Sequence, residues 1–279
     1  MPYTLTAERG FCTIDGVRLS YLDWGGEGPS TVLLHGITSN AATLWRVAPA
    51  LRATGQRILA LDMPGHRLSE LSPDHEIDTI ANLVAGFTDA LDLQAITLLG
   101  HSWGGATALA LAGGTHPARR RLARVVLVDP ALVLDLAWAE VRLPLYLEGV
   151  GVPAAVAAPR ARALNPTWLD QDVYWKAIAL AECRAAQVEG FFRPANFWSL
   201  VPRLAAVTVP LLLLVADPAF TVITPEDLAQ AERTLVPGLG KMVVLPDTNH
   251  NMLRGPGYEP TMATLLAWLA QPEPAPPNA

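Results

Sequence analysis

Five compact apolar runs set the strongest limit on the fold: TVLLHG (31–36), RILALD (57–62), AITLLG (95–100), RVVLVD (124–129) and PLLLLVAD (210–217). KMVVLP (241–246) is a sixth. Runs that are apolar on both faces belong to strands covered on both sides, hence to a parallel sheet between helices. The intervening segments LWRVAPALRATG, IANLVAGFTDALD, ATALALAGGTHP and EDLAQAERTLV carry helical spacing. Strand and helix therefore alternate as in a doubly wound, mostly parallel α/β fold.

Two regions depart from that rhythm. FCTIDGVRLSYLDWG (11–25) alternates apolar and polar residues about Asp15-Gly16, which predicts an antiparallel hairpin at the start. Between Asp129 and Pro210 there is room for several helices, no convincing strand, and a high density of rings that includes Trp138, Tyr146, Trp168, Phe191 and Trp198. This predicts a helical cap over 132–205, inserted into a core formed by 1–131 and 206–270. Most of the cap's aromatics are expected to pack helix to helix. The tail, 271–279, is proline-rich and expected to be disordered.

Of the 279 residues, 51% are hydrophobic and 16% charged, enough to bury a large core. The formal charge of -6 and the lack of a long basic run argue against nucleic acid or an anionic membrane as partner. The opening MPYTLTAERGF has no basic start followed by an apolar stretch, so a cytoplasmic chain without a secretory signal is expected. Cys12 and Cys183 are expected to be reduced and structural.

Chemistry concentrates at LLGHSWGG (98–105). In a parallel sheet, reactive groups gather at the carboxyl ends of strands, and Ser102 falls there. Gly100 and Gly104 permit a sharp strand-to-helix turn that exposes the hydroxyl, while Gly105 lets the helix lie close to the sheet. A serine hydroxyl needs a base. Of six histidines, His250 sits just past the last strand, in LPDTNHNML, and is the candidate. His35 ends the first parallel strand and His66 follows the second; His101, adjoining Ser102, should point elsewhere; His75 and His116 read as solvated surface. For an oxyanion, the backbone amides of Trp103 and Ile37 are the candidate donors.

Through LLHG, LDMPGH, LLGHSWGG, LVDPA, VPLLLLVAD and the late TNH, the chain resembles the α/β-hydrolase superfamily over nearly its whole length. The resemblance implies the fold, a cap, a Ser-acid-His triad and acyl chemistry. Two positions depart from it: Arg67 stands where relatives usually have glycine, and Trp103 where methionine or leucine is commoner. The acid is open between two aspartates. Most relatives carry it past the seventh strand, where Asp217 comes early. Some lipases and lactonases take it from the preceding strand, which favours Asp129; Glu226 and Asp227 read as the first turn of a helix.

The expectation is a serine hydrolase acting on a neutral, fairly apolar carboxylic ester or lactone through an acyl-enzyme. Amide hydrolysis, carbon-carbon cleavage and perhydrolysis use the same machinery, and a ligand receptor that has lost turnover is the alternative from another class. Serine rather than aspartate at the elbow argues against dehalogenation and epoxide opening. No cofactor and no metal is expected: there is no GxGxxG or P-loop pattern, and the histidines lack ligand spacing.

Overall fold

The computed structural model describes residues 3–272. The chain opens with the hairpin β1 (Glu8–Ile14) and β2 (Val17–Asp23), in which Ile14 faces Val17 across Asp15-Gly16. Both turn residues have positive φ (48° and 83°), as a turn matching strand twist requires. Next come β3 (Ser30–Leu34), β4 (Arg57–Leu61), β5 (Ile96–His101) and β6 (Leu122–Val128). A two-residue ladder, β7 (Val133–Leu134) against β8 (Trp198–Ser199), lies where no strand was predicted. It pins the two ends of the insertion together. β9 (Leu211–Val215) and β10 (Gly240–Val244) complete an eight-stranded sheet in the order β1-β2-β4-β3-β5-β6-β9-β10. From β4 to β10 every pairing is parallel.

Alternation along each central strand supplies two cores. Val32, Leu34, Leu98, Val125 and Leu213 face one side, with Phe87 and Leu109; Leu33, Leu99, Val126 and Leu212 face the other, with Leu51, Leu265 and Trp268. The helices that cover these faces are α1 (Val47–Arg52), α2 (Ile77–Ala90) and α3 (Trp103–Ala112), joined by two helices from later in the chain. β3, β5 and β9 are buried along their whole length, β9 (LLLLV) apolar throughout and the other two mostly so, as strands covered on both faces require. β10 is different. It is the sheet edge, Lys241 and Val244 are exposed, and a charge at such a position discourages pairing with another chain.

The insertion between β6 and β9 folds into α4 (Leu136–Leu147), α5 (Ala154–Leu164), α6 (Asp170–Ala181) and α7 (Ala185–Phe191). Then follow α8 (Pro225–Thr234) and α9 (Tyr258–Leu269). Its rings pack on one another: Trp138 stacks on Phe192 at 5.6 Å, and Phe191 meets Trp198 edge-on at 5.1 Å. Phe191 also meets Trp103 of the core at 5.8 Å, which ties the insertion to the start of α3. Among the described residues no helix is long and apolar enough to cross a membrane. Of the tail predicted to be disordered, 273–279 lies outside the described residues; the carbonyl of Gln271 accepts a hydrogen bond from Arg124.

Candidate active site

Ser102 stands between β5 and α3 with φ 55° and ψ −119°, a conformation that costs a non-glycine residue about 1–3 kcal/mol. Its amide donates to the Val128 carbonyl (3.0 Å), and its own carbonyl accepts from Ala106 and Ala131. The turn explains the flanking glycines: a Cβ on Gly100 would lie 2.1 Å from the Gly104 carbonyl oxygen. No alanine fits.

Beside it, the loop after β10 brings His250 into line. Nε2 of His250 lies 3.0 Å from Ser102 Oγ, and Nδ1 lies 2.6 Å from Asp129 Oδ2. Asp129 follows β6 in the left-handed region (φ 41°) and is fully buried. Its Oδ1 accepts from the Ala216 amide and the Thr221 hydroxyl, and Oδ2 also accepts from the Val222 amide. Burial alone would push the carboxyl up, but the bond from His250, with those from Thr221 and Ala216, outweighs it and holds Asp129 below the usual carboxylate range. Asp217 is elsewhere. It accepts from the amides of Ala219 and Asp247, fastening the turn after β9 to the loop that carries His250.

The chain that carries the Ile37 amide comes close to Ser102. A Cβ on Gly36 would sit 3.0 Å from Cβ of Ser102, so the backbone leading to Ile37 passes directly against that residue. Among the described residues neither the Ile37 nor the Trp103 amide has a protein acceptor. Thr38, next in the chain and in the left-handed region (φ 58°), is gripped from two sides. Its amide donates to His66 Nε2 (3.1 Å), while its carbonyl and hydroxyl accept from Lys176 Nζ at 2.8 and 3.0 Å.

The five histidines other than His250 have surroundings that the sequence did not reveal. His35 accepts the Met63 amide on Nε2 and donates from Nδ1 to the Gly36 carbonyl; His66 donates from Nδ1 to the Pro64 carbonyl. His101, expected to point away, turns back to the site. Its Nε2 donates to the His250 carbonyl (2.7 Å), and the two rings lie 4.8 Å apart. Burial, the largest cause in each case, lowers His35, His66 and His101 to about 3, so all three are neutral. His75 is not open surface: it is partly buried against Gly190, while His116 accepts the Ala118 amide. Arg67, at φ 51°, replaces the flexibility of glycine with an anchor, donating to Glu182 at 2.6 Å.

Above Ser102 lies a cavity of about 210 Å³, lined by Ile37, His250 and, from the insertion, Tyr146, Trp168 and Leu180. Three cations also line it: Arg160, Lys176 and Arg254. They come from α5, α6 and the loop after His250, so no sequence cluster announces them. One signal was available. Lys176, one of only two lysines, interrupts the apolar stretch VYWKAIALA.

Residues 31–258 match the alpha/beta hydrolase family. The chain is 32% identical over 225 residues to N-formylmaleamate deformylase of Pseudomonas putida, spanning 79% of this chain and 82% of that protein. The crystal structure of E-2-(acetamidomethylene)succinate hydrolase superposes with a TM-score of 0.81 at 20% identity, over 95% of this chain and all (100%) of that one. An N-formylmaleamic acid deformylase from Pseudomonas putida superposes with a TM-score of 0.72 at 23% identity, over 94% and 99%. With its parallel sheet, its serine at the turn after β5 and a family match across most of its length, this chain belongs to the alpha/beta hydrolase family.

Proposed function

We propose that the protein is a serine hydrolase that opens a carboxylic acyl bond through an acyl-enzyme, an ester or lactone first. The observation that carries this is the unbroken hydrogen-bonded line from Ser102 Oγ through His250 to Asp129. In this reading His250 Nε2 takes the Ser102 proton as Oγ attacks the carbonyl carbon. Asp129 holds the imidazole with Nε2 free to accept, and stabilises the imidazolium. The Ile37 and Trp103 amides donate to the oxyanion, worth about 3–4 kcal/mol for each well-placed donor. His250 then returns the proton to the leaving group, and water activated by the same nitrogen releases the acid and frees Ser102.

An amide is the second reading, favoured by the 32% identity to a deformylase whose named substrate, N-formylmaleamate, carries an acylated nitrogen. The cavity of about 210 Å³ suits a small substrate in either case, since sites for drug-sized ligands start at roughly 300 Å³. The test pairs fluorophosphonate labelling with p-nitrophenyl esters, lactones and N-acyl amides. Labelling and turnover that vanish together in Ser102→Ala support the proposal. A folded wild-type protein that neither labels nor turns over any of these, while still binding small apolar ligands, would make it a receptor.

A further inference from the structure

Lys176 and Arg254 line the same cavity as Ser102, and each grips the loop that carries Thr38 and Ser39. Lys176 Nζ spends two of its protons on Thr38, and one Nη of Arg254 donates to Ser39 Oγ (2.8 Å). Arg254 is 5% exposed, and its Nε has no partner among the described residues. Its guanidinium lies 5.4 Å from the ring of Trp168, which also lines the cavity.

Neither of these two groups is hydrogen-bonded to a carboxylate. Arg160, the third cation of the cavity, is different: it is paired with Glu148. Lys176 and Arg254 make their hydrogen bonds to neutral oxygens only. Asp172, one turn before Lys176 on α6, offsets part of the Arg254 charge through space; its Oδ1 accepts from the Trp45 indole, and its Oδ2 has no hydrogen-bond partner among the described residues. Burial, followed by the charge of Arg254, lowers Lys176 to about 7; burial lowers Arg254 to about 10. Two cations withdrawn from water beside one carboxylate that touches neither are costly, and they persist where a ligand supplies the missing charge and contact. A carboxylate meets the need: a planar guanidinium binds it through two parallel hydrogen bonds, and an ammonium adds a point charge.

We infer that Lys176 and Arg254 form a subsite for a second, non-reacting carboxylate of the substrate, so that the acyl compound opened at Ser102 is an anion. This rests on the hydrolase reading above and replaces the sequence-based expectation of a neutral substrate. The subsite sits on the loop of the oxyanion amide, through Thr38. Binding energy from the distant carboxylate is thereby applied at the residue adjoining Ile37, where it helps orient the scissile carbonyl.

The test compares p-nitrophenyl hydrogen glutarate with p-nitrophenyl valerate, esters of equal acyl length that differ in the terminal carboxylate. Wild type is expected to favour the anionic ester at least tenfold in kcat/KM. Lys176→Met and Arg254→Met are each expected to cut that ratio tenfold or more. A wild-type ratio of one or below overturns the inference, as does an equal loss on both esters in Lys176→Met, which would make the lysine a clamp for Thr38 alone. A second readout needs no turnover: glutarate, but not glutaramide, should raise the Tm of wild type and leave Lys176→Met unmoved. If neither ester reacts and no fluorophosphonate label appears, the hydrolase reading fails, and the Tm comparison alone decides the subsite. A Tm insensitive to glutarate then overturns it.

Discussion

Asp129 Oδ2 lies 2.6 Å from Nδ1 of His250, although 121 residues separate them in the chain. The carboxylate comes from the end of β6 and the imidazole from the loop after β10, and β9, which lies between those two strands in the sheet, provides the Ala216 amide that orients the acid. The first prediction follows from this geometry. Asp129→Asn should reduce kcat by about 10⁴, because an amide at Oδ2 favours the wrong imidazole tautomer. Asp217→Asn should keep most of the activity, since Asp217 touches only backbone amides. Steady-state kinetics of the two variants on one reactive ester decides, and the reverse ranking would reject Asp129 as the acid.

His101 holds the backbone of His250 rather than its ring. His101→Phe keeps a flat ring beside His250 but removes the donor to its carbonyl. A displacement of about 1 Å at a catalytic group can cost on the order of 10² in rate. We expect kcat to fall by about that factor with KM little changed, measured on the same ester. An unchanged kcat would show that other contacts of the loop suffice to hold His250.

His66 accepts the Thr38 amide and so fixes the loop that carries Ile37. His66→Phe cannot accept. Losing one oxyanion donor costs about 10²–10³ in kcat, and a loosened donor should cost up to that amount. If the loss appears in KM alone, the Thr38 grip serves substrate binding and not the transition state.

The buried histidines also predict an acid limit on stability. His35, His66 and His101 are lowered to about 3 in the folded protein, from the ordinary 6.5. Between these values the unfolded chain binds protons that the folded chain refuses, so stability rises with pH in that window and is lost as pH falls from 6.5 toward 3. Each such histidine contributes a slope of about 1.4 kcal/mol per pH unit. Urea midpoints measured from pH 7 to 4 should fall steeply, and the slope should flatten in His66→Phe if that variant folds. A midpoint flat over this range would contradict the burial of these rings.

Lys176, lowered to about 7, makes substrate selection depend on pH. Arg254, His35 and Cys183 face it, with Asp172 one turn away on α6; of these Arg254 stays charged across the neutral range and His35 stays neutral. As pH rises from 6 to 9 the ammonium loses its proton, and the preference for the anionic over the neutral ester should fall. Protonation events common to both reactions cancel in the ratio of kcat/KM. A ratio constant across this range would separate Lys176 from anion recognition.

The sheet and the serine at the turn after β5 were legible in the sequence because each depends on local order. Unbroken apolar runs announce strands buried on both faces, and Gly100, Ser102 and Gly104 occupy one turn. The hairpin at Asp15-Gly16 is local in the same sense. The choice between Asp129 and Asp217 was not, because both end strands and only the position of the loop after β10 decides which one meets His250. The same holds for the cavity: Arg160, Lys176 and Arg254 are far apart in the chain and converge only when α5 and α6 pack above the sheet. Sequence by itself determined the periodicity, the fold and the sharp turn that presents Ser102, which nearest neighbours along the chain encode. Tertiary structure alone decided the acid's geometry and the charge of the pocket, because electrostatic interactions depend on distance through space, not on separation along the chain.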